Sequence, residues 1–130
     1  MRVARFVVLE HRWNGVHWDL MIESSETGPL LTWALESEPT RPGPVACRRS
    51  ADHRRVYLDH DGPVSGGRGV ATRWDAGLCA VESEAPDRLE VRFSGDHLRG
   101  SVALRTTSEG AGGAGSGWVL EFEPRSGDQG

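Results

Sequence analysis

The sequence predicts an all-β domain, folded as a small closed or nearly closed barrel of about eight short antiparallel strands. Apolar residues make up 37% of the 130 residues and come in short bursts, which 17 Gly and 7 Pro interrupt. Short apolar segments at regular spacing, bounded by turn residues, are typical of small barrels and sandwiches. The length fits a single domain, which we expect to span residues 1–123.

A β-hairpin begins the predicted barrel. Residues 5–10 are apolar and partly β-branched, Asn14-Gly15 is a strong hairpin turn signal, and residues 16–23 form the second strand. A third strand, Leu30–Leu35, follows a turn at residues 26–29. Residues 36–44 contain three prolines, so we expect them to be irregular.

The rest of the chain alternates short strands with turns. Turns are predicted at residues 59–62 and 75–77, and a glycine-rich loop at residues 65–69. Residues 108–117 have little side chain to bury and predict a flexible glycine-rich loop, and residues 124–130 predict a disordered tail. The remaining predicted strands are residues 45–49, 56–58, 69–74, 78–82, 88–94, 100–106 and 118–122.

The overall charge limits the classes of partner. A formal net charge of −4 excludes a global positive field that would draw the protein onto duplex DNA or an anionic membrane, so any nucleic-acid contact must be local. All 15 basic residues are Arg, whose planar fork suits bidentate phosphate contact. A GC-rich genome explains the Arg bias equally well.

The cysteines and the N-terminal residues bear on the compartment in which the protein is expected to function. Cys47 and Cys79 stand alone without metal-finger spacing, and no signal-peptide pattern or membrane-length apolar run is present. We therefore expect a cytoplasmic protein with two free thiols and no membrane span.

The predicted hairpin carries the strongest chemical signal, a candidate metal site. His17 and Asp19 occupy neighbouring positions on one face of the second strand, while the opposite face is apolar and should meet the core. His11 shares their face only if the hairpin loop has an odd number of residues or a bulge shifts the register. A two-residue loop would instead pair His11 with Trp18 and place His11 on the wrong face.

Two imidazoles and a carboxylate suit a divalent first-row metal such as Mn, Zn or Fe, with the carboxylate favouring harder ions. The alternative is a pair of surface histidines beside a turn. Four arginines near His53 either attract phosphate or belong to a solvated turn: Arg48, Arg49, Arg54 and Arg55. Trp13, at the hairpin turn, is a candidate for stacking on an unpaired terminal base.

Residues 6–23, FVVLEHRWNGVHWDLMIE, resemble the signature of the 3′-phosphoesterase domain of bacterial and archaeal DNA ligase D, an end-processing module of non-homologous end joining. The similarity continues over nearly the whole chain. Its further motifs are Thr32-Trp33-Ala34-Leu35, Asp52-His53 with Tyr57, Asp61-Gly62, Trp74-Asp75-Ala76-Gly77, and Leu98-Arg99-Gly100 with Ala103-Leu104.

The resemblance implies a metal-dependent phosphoesterase. It assigns manganese ligation to His11, His17 and Asp19, with Zn or another first-row metal as alternatives, and phosphate contact to His53 and Tyr57. The implied substrates are 3′ ends of DNA, carrying a phosphate or a ribonucleotide. The implied setting is DNA repair by a monomer, beside a repair ligase or polymerase.

The chain departs from this family at its phosphate-binding positions. Met21 and Val45 stand where the family has Arg, and Ser37 where it has Lys. Arg68, flanked by glycines whose N–H groups can approach an anion, is the best substitute, followed by Arg48 and Arg49. Two alternatives stay open: a non-catalytic binding module for phosphorylated nucleic-acid ends, and a phosphatase for a smaller phosphoester.

Overall fold

The computed structural model of the protein describes residues 1–107 and 117–125, and these residues confirm the predicted all-β class. All strand pairings are antiparallel, and the described residues contain no α-helix. The strands are β1 Arg2–Arg12, β2 Val16–Glu23, β3 Leu30–Leu35, β4 Val45–His53, β5 Gly62–Pro63, β6 Val70–Ala85, β7 Arg88–Ser94, β8 Arg99–Thr106 and β9 Trp118–Pro124.

The nine strands form one sheet that curls into a nearly closed, barrel-like ring. The strand order is β1-β2-β3-β4-β9-β8-β7-β6-β5, and β1 also pairs with β6. Eight strands therefore complete the ring, while the two-residue β5 extends the sheet beside β6. Closure gives β1 a hydrogen-bonded neighbour on each side.

Side chains on the two faces of the sheet form two separate apolar clusters. Phe6 and Val8 point into the main cluster, whereas Val7 and Leu9 point into a smaller one, because neighbouring residues of a strand face opposite sides. The main cluster includes Leu20, Ile22, Phe93, Leu98, Leu104 and Leu120, and the smaller one includes Met21, Leu30, Leu58 and Ala71.

The segment between β4 and β6 covers the smaller cluster. The strand predicted at residues 56–58 is wrong, since Arg55–Asp59 is a short 3₁₀-helix that buries Leu58. Tyr57 and Val64 pack against the same cluster. The outer face of β1, β2 and β6 is apolar here and needs a cover, which a compact turn of helix supplies.

The turn predicted at residues 75–77 is also wrong. These residues lie inside β6, where Trp74 is an extra residue in the pairing with β1 between Val8 and Leu9, which is the pattern of a β-bulge. Buried Asp75 accepts hydrogen bonds from four backbone N–H groups: Ala76, Asp96, His97 and Leu98, at 2.7–3.0 Å. The Asp75 carboxylate thus holds the turn before β8.

An ion pair ties the covering segment to the sheet. The Arg55 guanidinium bonds the buried carboxylate of Glu23 at the end of β2, and it also donates to the carbonyls of Ser25 and Gly28 at 3.0 Å each. Burial alone would raise the pKa of the Glu23 carboxyl, but Arg55 and the Arg5 N–H outweigh it and hold that pKa below its ordinary value.

The predicted flexible loop at residues 108–117 lies outside the described residues apart from Gly117, and the predicted tail is described only at Pro124 and Arg125.

Cys47 and Cys79 are free and buried, and burial raises the pKa of each thiol to about 12. Residues 1–107 and 117–125 include no helix with the length and apolar character needed to cross a membrane.

Candidate metal centre and adjoining cavity

The first hairpin has the odd loop that the metal site requires. Arg12 pairs with Val16, so the loop consists of three residues and His11 lies directly opposite His17. Asn14, with φ 55°, takes the left-handed conformation that this residue tolerates, and Gly15 follows with φ 116°. The register that places His11 with His17 and Asp19 is therefore confirmed.

The three side chains converge on one point. His11 Nδ1 lies 3.3 Å from His17 Nε2 and 3.7 Å from an Asp19 carboxylate oxygen. His17 Nε2 lies 3.2 Å from the other Asp19 oxygen. A tetrahedral ion with bonds of about 2.1 Å has ligand atoms roughly 3.4 Å apart. The donor set thus fits one first-row metal ion with little rearrangement.

A backbone carbonyl fixes the orientation of His11. Its Nε2 lies 2.8 Å from the carbonyl oxygen of Arg68, which can only accept, so Nε2 carries the proton. In the neutral ring Nδ1 then presents its lone pair to His17 and Asp19. Ligating histidines in metal sites characteristically donate their other ring N–H in this way.

Asp19 contributes a buried negative charge. Only 7% of the residue is exposed, and each carboxylate oxygen faces a different imidazole. A buried carboxylate needs a compensating partner, which a divalent cation or a protonated imidazole supplies. The charge of Asp19 therefore adds to the attraction of this cluster for a cation.

A cavity of about 100 Å³ adjoins the cluster and brings together residues from three parts of the chain. His11 and Asp19 line one side, and the predicted phosphate-contacting residues His53 and Tyr57 line another. Arg68 also borders this cavity. Its remaining lining is largely apolar and consists of Leu9, Trp13, Met21, Val64 and Ala71.

His53 offers one free ring nitrogen. Its Nδ1 lies 3.0 Å from the carbonyl oxygen of Ala51, so Nδ1 carries a proton and Nε2 has no hydrogen-bond partner among the described residues. The ring packs edge-on against Tyr57, with centroids 5.4 Å apart. This contact holds the two predicted catalytic side chains as a unit beside the metal cluster.

Models of known protein families give no match to this sequence, and a search of curated proteins finds no significant similarity. The resemblance to the ligase D phosphoesterase domain therefore stays a prediction that rests on the motifs themselves.

The three predicted phosphate-binding arginines lie in different places. Exposed Arg68 borders the cavity; its Nε donates to Ser65 at 2.9 Å, and its terminal nitrogens have no hydrogen-bond partner among the described residues. Arg49 instead stacks over Trp33 at 4.8 Å and pairs with Asp52. Arg48 is exposed on β4 and does not line the cavity.

Arg54, one of the four arginines that the sequence places near His53, also lies close to Tyr57. It is exposed, and its guanidinium carbon lies 6.0 Å from the centre of the Tyr57 ring. The guanidinium of its neighbour Arg55 forms an ion pair with the Glu23 carboxylate. Its position directly after His53 was the available signal, but the sequence does not show which arginine of the cluster packs near Tyr57.

Where the sequence departs from the family that it resembles, at Met21, Val45 and Ser37, the side chains carry no charge. Met21 is 1% exposed and belongs to the apolar lining of the cavity. Val45 is 2% exposed, pairs with Leu120 and packs in the main cluster on the other face of the sheet. The Ser37 hydroxyl donates to the carbonyl of Glu38 at 3.2 Å. Arg68 is the arginine that lines this cavity, and Arg54 lies beside the Tyr57 ring.

Proposed function

We propose that the protein is a metal-dependent phosphoesterase that acts on 3′ ends of nucleic acid in DNA repair, in the vicinity of a repair ligase or polymerase. One observation carries the proposal: a single cavity is lined by members of the His11/His17/Asp19 cluster together with His53, Tyr57 and Arg68. These groups come from β1, β2, the end of β4, the 3₁₀-helix and the glycine-rich loop. The resemblance assigns metal or phosphate contact to five of the six.

His11, His17 and Asp19 would hold the ion, with manganese preferred because a carboxylate joins the imidazoles. Such an ion polarises a phosphoryl oxygen and neutralises charge that develops there. Arg68 would bind a second phosphoryl oxygen by charge-assisted hydrogen bonds. Water would attack the phosphorus as the bond to the leaving 3′ oxygen breaks. In its imidazolium form, with a proton on both ring nitrogens, His53 would use the Nε2 proton to stabilise the transition state or protonate the leaving oxygen. The Tyr57 hydroxyl would orient the phosphate.

The test is phosphate release from a 3′-phosphorylated primer–template in the presence of Mn²⁺. We expect Asp19→Asn, which keeps the side-chain volume but removes the buried charge, to lower the rate at least about 100-fold. Asp87→Asn, at an exposed position in the β6–β7 turn, is the matched control. Wild-type protein that releases no phosphate with any divalent metal would refute the proposal, and full activity of Asp19→Asn would refute the assigned site.

Met21 favours a second candidate, a non-catalytic module that binds phosphorylated ends. Its buried thioether lines the cavity where the family has a guanidinium, so fewer charges are available to stabilise a transition state. Binding of a 3′-phosphorylated oligonucleotide without turnover, weakened by Arg68→Gln, would support this candidate over the enzyme. The same cavity also admits a smaller phosphoester, and phosphate release from glycerol phosphate at a rate equal to that from the oligonucleotide would favour a phosphatase for that class.

A further inference from the structure

Trp13 lies at the mouth of the cavity with its indole largely uncovered. The residue is 46% exposed, and it also lines the cavity beside His11. It is the only aromatic residue among the large hydrophobic residues exposed in the described part of the chain. A partly exposed indole that lines a cavity containing imidazole, carboxylate and guanidinium groups has a face available for contact with a ligand.

The volume of the cavity limits what enters it. About 100 Å³ corresponds to roughly three water molecules at liquid density and lies well below the roughly 300 Å³ at which pockets for organic ligands begin. A phosphoryl group fits this space, but a nucleoside does not. The sugar and base of a bound 3′ end must therefore lie outside, where Trp13 and Arg68 form part of the rim.

The indole is held in a defined orientation. Its ring is nearly parallel to the His11 imidazole, with an angle of 25° and centroids 6.3 Å apart. The Trp13 backbone N–H donates to the Gly15 carbonyl at 2.9 Å, and a methyl group added at Gly69 would come within 2.7 Å of the Trp13 Cβ. Close packing therefore restrains the backbone from which the Trp13 indole projects beside the cavity.

We propose that Trp13 is a base-stacking subsite, on which the nucleobase of the terminal nucleotide lies while its 3′-phosphate enters the cavity. The inference rests on the proposed function. A stacking surface accepts every base, because all four present a π-face, so the subsite selects for the presence of a terminal base and not for its identity. The substrate class is then a nucleotide-bearing 3′ end, in preference to an abasic one.

Two substrates, each measured with the wild-type protein and with Trp13→Ala, test the subsite as a double-mutant cycle. The substrates are fluorescein-labelled oligonucleotides with a 3′-phosphate, identical except that the terminal unit of one is an abasic tetrahydrofuran. Binding is measured by fluorescence anisotropy without metal, and phosphate release is measured with Mn²⁺. We expect wild-type protein to bind the abasic end about 5- to 100-fold more weakly, from the stacking contribution of a single base.

In Trp13→Ala the preference for a terminal base should disappear, while Trp13→Phe should keep part of it. Val56→Ala, at an exposed hydrophobic position of the 3₁₀-helix outside the cavity lining, is the control and should keep the wild-type preference. An equal preference in wild type and Trp13→Ala would overturn the inference. Absence of metal-dependent phosphate release from both substrates would overturn the proposed enzymatic activity and not the stacking subsite. The two outcomes are distinguishable because the anisotropy measurements detect stacking without catalysis.

Discussion

At the scale of single residues, strand alternation predicts that His11, His17 and Asp19 lie together, provided that the hairpin loop has the right length. His17 and Asp19 share a face in any register, but His11 joins them only because Trp13, Asn14 and Gly15 form a three-residue loop. The surroundings of the cluster could not be predicted in this way. That Met21 is buried, and that Arg68 rather than Arg49 reaches the cavity, depends on contacts between distant segments.

Two of the three candidate phosphate-binding arginines, Arg68 and Arg48, should behave differently when substituted. We expect Arg68→Gln to raise KM for a 3′-phosphorylated oligonucleotide about tenfold, because it removes a charge-assisted hydrogen bond worth about 1.5 kcal/mol or more. Arg48→Gln should change KM less than about twofold, since Arg48 does not line the cavity. Steady-state kinetics for both variants in Mn²⁺ provide the measurement. A larger effect from Arg48 than from Arg68 would contradict the assignment of phosphate contact.

At the scale of elements, the sequence predicts most regular strands, but it does not predict the 3₁₀-helix or the irregular part of β6. Alternation and turn residues located the first hairpin, β3, β7, β8 and β9. The 3₁₀-helix at Arg55–Asp59 was missed because Val56 and Tyr57 have strong strand propensity, and the need to cover the second apolar cluster overrides it. The Asp75-Ala76-Gly77 sequence has turn composition, but the pairing of these residues with Val8, Val7 and Phe6 of β1 keeps them within β6.

The glycine-rich loop should control metal affinity through its approach to β1. A methyl group at Gly69 would meet the Arg12 carbonyl oxygen at 2.0 Å, so Gly69→Ala must push the loop away and withdraw the Arg68 carbonyl from His11. We expect metal affinity to fall about 10- to 100-fold, the usual cost of losing the partner that orients a ligating histidine. Competition with a chelating dye measures this change.

Gly67→Ala is the matched control for Gly69→Ala. Gly67 also has a positive φ, 68° against 80° at Gly69, but a methyl group there meets no atom within 4 Å. The added methyl group strains the backbone to a comparable extent in both variants. They differ in that only Gly69→Ala is expected to displace the loop. Equal losses of metal affinity in the two variants would show that the close approach of Gly69 has no part in orienting His11.

At the scale of the whole molecule, stability depends on contacts that join the ring of strands to its cover. Glu23 receives the Arg5 N–H at 2.5 Å from β1 and the Arg55 guanidinium from the 3₁₀-helix, so one carboxylate links three elements. We expect Glu23→Gln to lower the free energy of unfolding by about 2 kcal/mol at pH 7, which is below the roughly 3–5 kcal/mol usual for a broken buried pair because Arg55 is partly exposed. Glu26→Gln, at an exposed position nearby, should have little effect.

Acid should remove the same contribution from the wild type. The pKa of Glu23 is lower in the folded state than its ordinary value of 4.5, so the unfolded state binds more protons in the window below 4.5. The stabilisation is fully present above that value and is lost as the pH falls through the folded pKa. Urea unfolding of both proteins at pH 7 and pH 3 measures the difference, which should shrink at the lower pH. An unchanged difference would show that the Glu23 charge does not contribute to stability.

The pairing of β1 with both β2 and β6 has a consequence for the order of folding. Local contacts of the first hairpin bring His11, His17 and Asp19 together early, whereas Arg68 reaches His11 only after β6 has closed the ring over a long stretch of chain. Contacts between distant segments form slowly because a large loop must close first. The complete coordination environment is therefore a late product of folding, and a bound ion should slow unfolding much more than it accelerates folding.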